Sequence, residues 1–219
     1  MESGRTCAFF VGRNGRYELR WFTPKGEIAG ICGHGTLAAG FVILNELDDK
    51  SDQVVFHVAA GELRVRRGNR GGYLLDLPAL PPAPYSTPAN LHAALGREPE
   101  AVLGALDIIA VFATTEDVAK FEPDCNLIAE LPLRALIVTA LGIDADFVSR
   151  WFGANGEDIG ITGSAHCSLV PYWVSRLGRT RLVAQQLSQR GGSIECELHG
   201  NRVWLSCTAV KYMQGQLYL

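Results

Sequence analysis

An internal repeat constrains this chain more than any other feature of its sequence. Residues 30–47, GICGHGTLAAGFVILNEL, align without a gap on residues 160–177, GITGSAHCSLVPYWVSRL, at an offset of 160 − 30 = 130. Gly30 coincides with Gly160, Ile31 with Ile161, Gly33 with Gly163 and Leu47 with Leu177. Cys32 faces Thr162, His34 faces Ser164 and Gly35 faces Ala165. Strand-like sequence follows each copy, AAGELRVRRGNR (59–70) after the first and RGGSIECELHGNR (190–202) after the second, both ending in Gly-Asn-Arg. A glycine turn, a long apolar helix, a strand and a Gly-Asn hairpin thus recur in one order. This implies two similar half-domains, each with one central helix surrounded by strands.

Alternating and β-branched runs place those strands at 17–23, 52–59, 61–67 and 73–77, then at 107–113, 133–140, 146–152, 180–187, 193–198 and 202–210. Amphipathic helices are expected at about 87–95 and 124–131. PALPPAPYSTP (78–88) places four prolines between residues 78 and 84, which excludes both helix and central strand. It marks the boundary between an expected N-terminal lobe, 1–80, and a C-terminal lobe, 86–219, whose last strand can return to the first. Two pseudo-symmetric lobes would leave a cleft between them.

At 219 residues and 47% hydrophobic content the chain can bury the core of one large or two small domains. A net charge of −3 gives no general attraction to nucleic acid or to an anionic membrane, which leaves a small molecule or another subunit as the expected partner. The basic stretch RVRRGNRGG (64–72) reads as a hairpin turn at Gly68-Asn69 rather than as an RNA patch. MESGRTCAFF lacks the features of a secretory signal, so a cytoplasmic location is expected. Six cysteines with no C-x-x-C pair are expected as free, mostly buried thiols. The uncharged stretch 28–44 is too short and too glycine-rich for a membrane span, and reads as a helix buried on all sides.

The reactive side chains gather where the two repeated helices begin. A helix start presents unpaired N–H groups and a positive dipole end, where anions settle. Cys32, Gly33, His34, Gly35 and Thr36 at the first start, with Thr162, Gly163, Ser164, Ala165 and His166 at the second, are therefore candidates to surround a carboxylated substrate. The dipole would keep His34 neutral and able to act as acid or base. Asp158 either orients that imidazole or a substrate amine, or is an exposed loop residue. His166 either contacts substrate or bonds neighbouring backbone. A two-thiol racemase using Cys32 and Cys167 is disfavoured because the repeat pairs Cys32 with Thr162. Zinc held by Cys32, His34, His166 and Cys167 is disfavoured because adjacent helical residues diverge by about 100°.

The strings LRWFTPKGEIAGICGHGTLAAG (19–40), ITGSAHCSLVPYWVSRLGRT (161–180) and AQQLSQRGG (184–192) resemble the phenazine-biosynthesis isomerase family, the PhzF-like proteins. The resemblance implies an α+β fold of the diaminopimelate epimerase type, in which each of two pseudo-symmetric lobes is a curved, mostly antiparallel sheet wrapped round a central helix. It also implies an isomerase that moves a proton on a small carboxylated metabolite without metal or organic cofactor. His34 and Ser164 would line its active site, with the Gly163 amide on the substrate. Two positions depart from the family pattern. Asp158 stands one residue further from Thr162 than the family's Asp-Pro-x-Thr-Gly-Ser places it, and the proline is missing. Thr6, in Thr6-Cys7-Ala8-Phe9, takes the place of the family's proton-transferring glutamate, and threonine cannot shuttle that proton. The family's opening strand and helix are also absent upstream, so an unpaired sheet edge and a homodimer or larger assembly are expected. An isomerase using His34 or Asp158 and a catalytically impaired relative that binds a metabolite or self-assembles are both compatible with these residues.

Overall fold

A computed structural model describes residues 6–28, 30–47, 50–86, 90–131, 134–154 and 156–216. The chain divides into two compact units, Met1–Asp76 with Ser206–Leu219, and Leu77–Leu205.

In the first unit, β1 (Cys7–Arg13) and β2 (Arg16–Thr23) form an antiparallel hairpin, closed by Asn14 and Gly15 with positive φ. The two-residue β3 (Gly26–Glu27) folds back on β2. Helix α1 (Gly33–Val42) continues into one π-helical turn, Ile43–Leu47. It leads to β4 (Gln53–Val58), which runs parallel to β2, and then to antiparallel β5 (Gly61–Arg67) and β6 (Tyr73–Pro78). The strand order is β1-β2-β4-β5-β6. Alternation along β2 buries Tyr17, Leu19 and Trp21, and α1 lies over these strands. Gly40 is why it lies so close: a Cβ there would stand 2.5 Å from the Val65 side chain.

The second unit repeats this plan. Strands β10 (Ala135–Leu141) and β11 (Phe147–Gly153) form the hairpin, and β12 (Asp158–Ile159) folds back on β11. Helix α5 (Gly163–Leu177) follows, then β13 (Arg181–Gln186) parallel to β11, and antiparallel β14 (Gly192–His199) and β15 (Arg202–Cys207). Each element matches its counterpart in order and pairing sense. Ahead of this second copy the chain adds β7 (Ala83–Pro84), α2 (Leu91–Leu95), β8 (Ala101–Gly104), β9 (Ile108–Val111), α3 (Thr115–Ala119) and α4 (Cys125–Ala129). These extend the sheet past β10 in the order β10-β9-β8-β7. They also bring Leu91, Leu95, Phe112 and Phe121 into one core with Leu136, Val138 and Phe152. Each such side chain contributes roughly 1.5–3 kcal/mol on burial.

Pro171 lies inside α5. Having no N–H, it leaves the Cys167 carbonyl without its usual helical donor. The Leu80 N–H donates to that carbonyl at 2.8 Å, so the proline-rich segment is pinned to the helix at the group the proline vacates.

Several expectations are corrected. α1 does not bury all sides, because His34, Ala38 and Val42, one per turn, form an exposed stripe. None of the six cysteines forms a disulfide among the described residues, but only Cys32, Cys167 and Cys196 are buried. Strands β1 and β8 were not anticipated; in β1 the run CAFFV is apolar on both faces, so no polar alternation marks it, although Ala8 and Phe10 are half-buried and Cys7, Phe9 and Val11 exposed. The expected helix over 87–95 is the shorter α2, and residues 87–89 lie outside the described residues. Among the described residues no helix is long and apolar enough to cross a membrane.

Candidate functional site

The start of α1 is set by its neighbours rather than by a side-chain cap. Cys32, the N-cap residue, has extended backbone (φ −118°, ψ 95°) and makes no side-chain cap bond. Its carbonyl accepts from the Thr36 N–H at 3.0 Å and from Thr36 Oγ1 at 2.7 Å. Gly35 is required because the Trp21 indole lies against it: a Cβ would come within 2.6 Å of the ring and 3.1 Å of Cys32 Sγ. The His34 ring nitrogens lie 3.8 and 3.7 Å from Cys32 Sγ. His34 keeps an exposed edge, yet the turn encloses enough of the ring to hold its pKa below the ordinary histidine value. At neutral pH it is an uncharged imidazole with one basic nitrogen.

The start of α5 has nearly the same backbone. Thr162 is the N-cap (φ −112°, ψ 102°), again with no side-chain cap bond. Buried Gln186 holds the approach to it. Its Oε1 accepts from the Thr162 N–H at 2.9 Å, and its Nε2 donates to the Ile159 and Gly160 carbonyls at 2.7 and 2.9 Å. His166 Nδ1 donates to the Thr162 carbonyl at 3.0 Å, which leaves Nε2 sealed in the core with no hydrogen-bond partner among the described residues. Burial lowers the His166 pKa. Cys167, also buried, has its thiol pushed up to about 12, mainly by desolvation, so it holds no thiolate near neutral pH. Ser164 is nearly buried, and Arg134 Nη2 approaches its Oγ at 3.5 Å.

Asp158 sits on β12, where Arg150 Nε and Nη2 donate to its Oδ2 at 3.0 and 2.9 Å. The first unit carries the same arrangement. Arg20 pairs with Glu27, and the registers Phe22↔Glu27 and Phe152↔Asp158 correspond. Arg20 lies over the Phe22 ring as Arg150 lies over Phe152, at 5.2 and 4.9 Å. Asp158 is therefore the counterpart of Glu27 in a repeated hairpin ion pair.

Among the expected residues the structure brings Cys32, His34, Gly35 and Thr36 together in the first unit. In the second it gathers Thr162, Gly163, Ser164, Ala165 and His166 in one helical turn, with His166 facing the core. Sequence reasoning missed Gln186, Trp21, Arg134 and Asp107. Trp21 had a visible signal, because Arg20-Trp21-Phe22 recurs as Arg150-Trp151-Phe152 at the same offset of 130. Arg134 and Asp107 had none. They lie 27 positions apart, and only the fold joins them, Arg134 Nε and Nη2 donating to the buried Asp107 carboxylate at 2.8 and 2.6 Å.

The family model described as phenazine biosynthesis-like protein matches residues 3–215. The chain belongs to that family. A relative in Pseudomonas aeruginosa, named as an uncharacterized isomerase, is 46% identical over 215 residues, covering 97% of this chain and 82% of the relative. A crystal structure of a PhzF-family phenazine biosynthesis protein from Enterococcus faecalis superposes with a TM-score of 0.86 at 38% identity, covering 98% of this chain and 83% of that one. A probable proline racemase from Agrobacterium radiobacter, 11% identical with a TM-score of 0.65 over 98% of this chain and 76% of its own, shares the fold alone. In this phenazine biosynthesis-like chain the epimerase-type α+β architecture is thus established, with the central helices of the two copies being α1 and α5.

Proposed function

We propose that this chain is a cofactor-independent isomerase that moves a proton between carbons of a small carboxylated metabolite. The observation that carries the reading is His34, an imidazole kept neutral at a helix start with one edge open to solvent. Its basic nitrogen takes a proton from a carbon next to the substrate's carboxylate or double bond, and the imidazolium returns that proton to a second carbon, so the enzyme ends as it began. At the start of α5, Ser164 and the Gly163 amide form a second candidate anion-holding turn. Asp158 is the alternative proton carrier, and Arg150 donates twice to its Oδ2.

The test is carbon-bound hydrogen exchange in D₂O with a dihydro-hydroxyanthranilate and with α-amino acids as probes. Exchange catalysed by the wild type and abolished in His34→Ala supports the reading, and unchanged exchange in His34→Ala ends it. Thr6→Glu should raise the rate, within the roughly 10²–10⁴-fold that a positioned acid–base group supplies. A wild type that binds these probes and exchanges nothing favours the second reading, a family member that binds a metabolite without turning it over. Thr6, where the family's glutamate is expected, favours that alternative.

A further inference from the structure

The second unit contains a cavity of about 130 Å³ lined by Tyr85, Gly104, Leu106, Asp107, Ile108 and Arg134. It opens beside the β8–β9 hairpin, whose turn is closed by the Ala105 N–H donating to the Asp107 carbonyl at 3.1 Å. Gly104 gives Tyr85 its place on the wall, because a Cβ there would stand 2.5 Å from the tyrosine ring.

The charged pair in this cavity is lopsided. Asp107 is buried and holds three donors: Arg134 Nε at 2.8 Å, Arg134 Nη2 at 2.6 Å and the Trp151 indole N–H at 3.2 Å. Arg134 keeps about a third of its side chain exposed, 35% against 2% for Asp107. Its Nε and Nη2 edge is committed to Asp107, with Nη2 also reaching Ser164 Oγ at 3.5 Å, and its Nη1 has no acceptor among the described residues. The guanidinium is thus locked in orientation, with the Nη1 N–H pair left for solvent or an occupant. The repeat sharpens the point. Trp21, the counterpart of Trp151, has its indole N–H buried without an acceptor among the described residues, whereas the Trp151 indole donates to Asp107.

We propose that this cavity is a carboxylate-binding subsite, with Arg134 the specificity-determining residue and Asp107 the positioning residue that aims it. An occupant's carboxylate accepts from Nη1, and its short apolar part lies along Tyr85, Leu106 and Ile108. Size and charge define the class. The volume is slightly below that of an engineered cavity of about 150 Å³ that takes benzene, so a three- or four-carbon acid fits, or the carboxylate end of a larger metabolite. A monoanion suits it better than a phosphate dianion, because Asp107 already shares the Arg134 charge. The contact from Arg134 to Ser164 places the subsite beside a residue of the proposed active site. The subsite's role as the substrate's carboxylate anchor therefore rests on the isomerase reading, whereas its binding of short acids does not.

Propionate and its neutral isostere propionamide, titrated into the full chain, separate these points. Backbone amide shifts of Gly104, Ala105, Leu106 and Asp107 report occupancy. Propionate should move them saturably, and propionamide should bind at least tenfold more weakly. Arg134→Gln should weaken propionate at least tenfold, and Arg134→Lys, which keeps the charge and loses the fork, should fall between. Equal binding of the two ligands, or undiminished binding in a folded Arg134→Gln, overturns the proposal. The propionamide comparison uses the wild type, so the proposal stays testable if Arg134→Gln does not fold. Propionate binding should survive in His34→Ala. Retained binding without any D₂O exchange would remove the isomerase reading and leave the subsite, and exchange without discrimination between acid and amide would do the reverse.

Discussion

Arg150 holds Asp158 through two donated hydrogen bonds to a single oxygen, and the same arginine caps α3 and the chain after it. Its Nη1 donates to the carbonyls of Val118, Ala119 and Phe121 at 3.3, 3.3 and 2.6 Å. Arg20, its counterpart, pairs with Glu27 at an exposed site and has no such second task. Arg150→Met should therefore cost about 2–3 kcal/mol, below the 3–5 kcal/mol of a fully buried pair because some solvent reaches it. Arg20→Met should leave no measurable loss. Urea unfolding of the two variants checks the contrast, and equal effects would show that the two copies are used alike.

Gly35 and Ala165 occupy equivalent places but opposite packing. Gly35→Ala forces a methyl to within 2.6 Å of the buried Trp21 ring, and should destabilise by roughly 1–3 kcal/mol through overpacking. Ala165→Gly removes a methyl from a site that already accommodates one, and should cost about 1 kcal/mol, mostly backbone entropy. Thermal unfolding of both variants decides it, and a neutral Gly35→Ala would show that the Trp21 indole can move aside.

The helix starts were legible because two copies of one plan left matching glycines in the sequence. What joined them to chemistry was less so. The bond from His166 to the Thr162 carbonyl repeats the bond from Thr36 to the Cys32 carbonyl, four residues back in each case, yet an imidazole and a hydroxyl do not look alike as letters. β1 was missed because the run CAFFV is apolar on both faces, so no alternation marks it as a strand. Asp107 and Arg134 were invisible because hairpin and strand must both form before the two meet.

His166 makes stability depend on pH. Burial depresses its folded pKa below the unfolded value of about 6.5, so the unfolded chain binds more protons in that window. Its contribution is complete above about pH 6.5 and is lost as pH falls from there towards the depressed value, at up to about 1.4 kcal/mol per pH unit. Burial lowers the His34 pKa too, which adds an effect of the same sign. Denaturant midpoints from pH 7.5 to 5 should show the fall. His166→Leu should flatten most of it while leaving the Thr162 carbonyl satisfied by the Ala165 N–H at 3.1 Å. An unchanged slope in that variant would place the titration elsewhere.

The last prediction concerns assembly, and its ground is an asymmetry between the copies. In the second unit β9 pairs in parallel along the outer edge of β10. In the first, β1 is the terminal strand, and among the described residues no strand covers its outer edge. Phe9 and Val11 on that strand are 62% and 70% exposed. An uncovered edge with apolar side chains is a template for another strand, and a second copy brings the same edge in antiparallel register. We expect a homodimer at micromolar concentration by light scattering. Phe9→Lys combined with Val11→Lys should give a monomer, since charges along an edge oppose pairing. A wild type that is monodisperse as a monomer would refute assembly through β1, and a double variant that stays dimeric would move the interface to another surface.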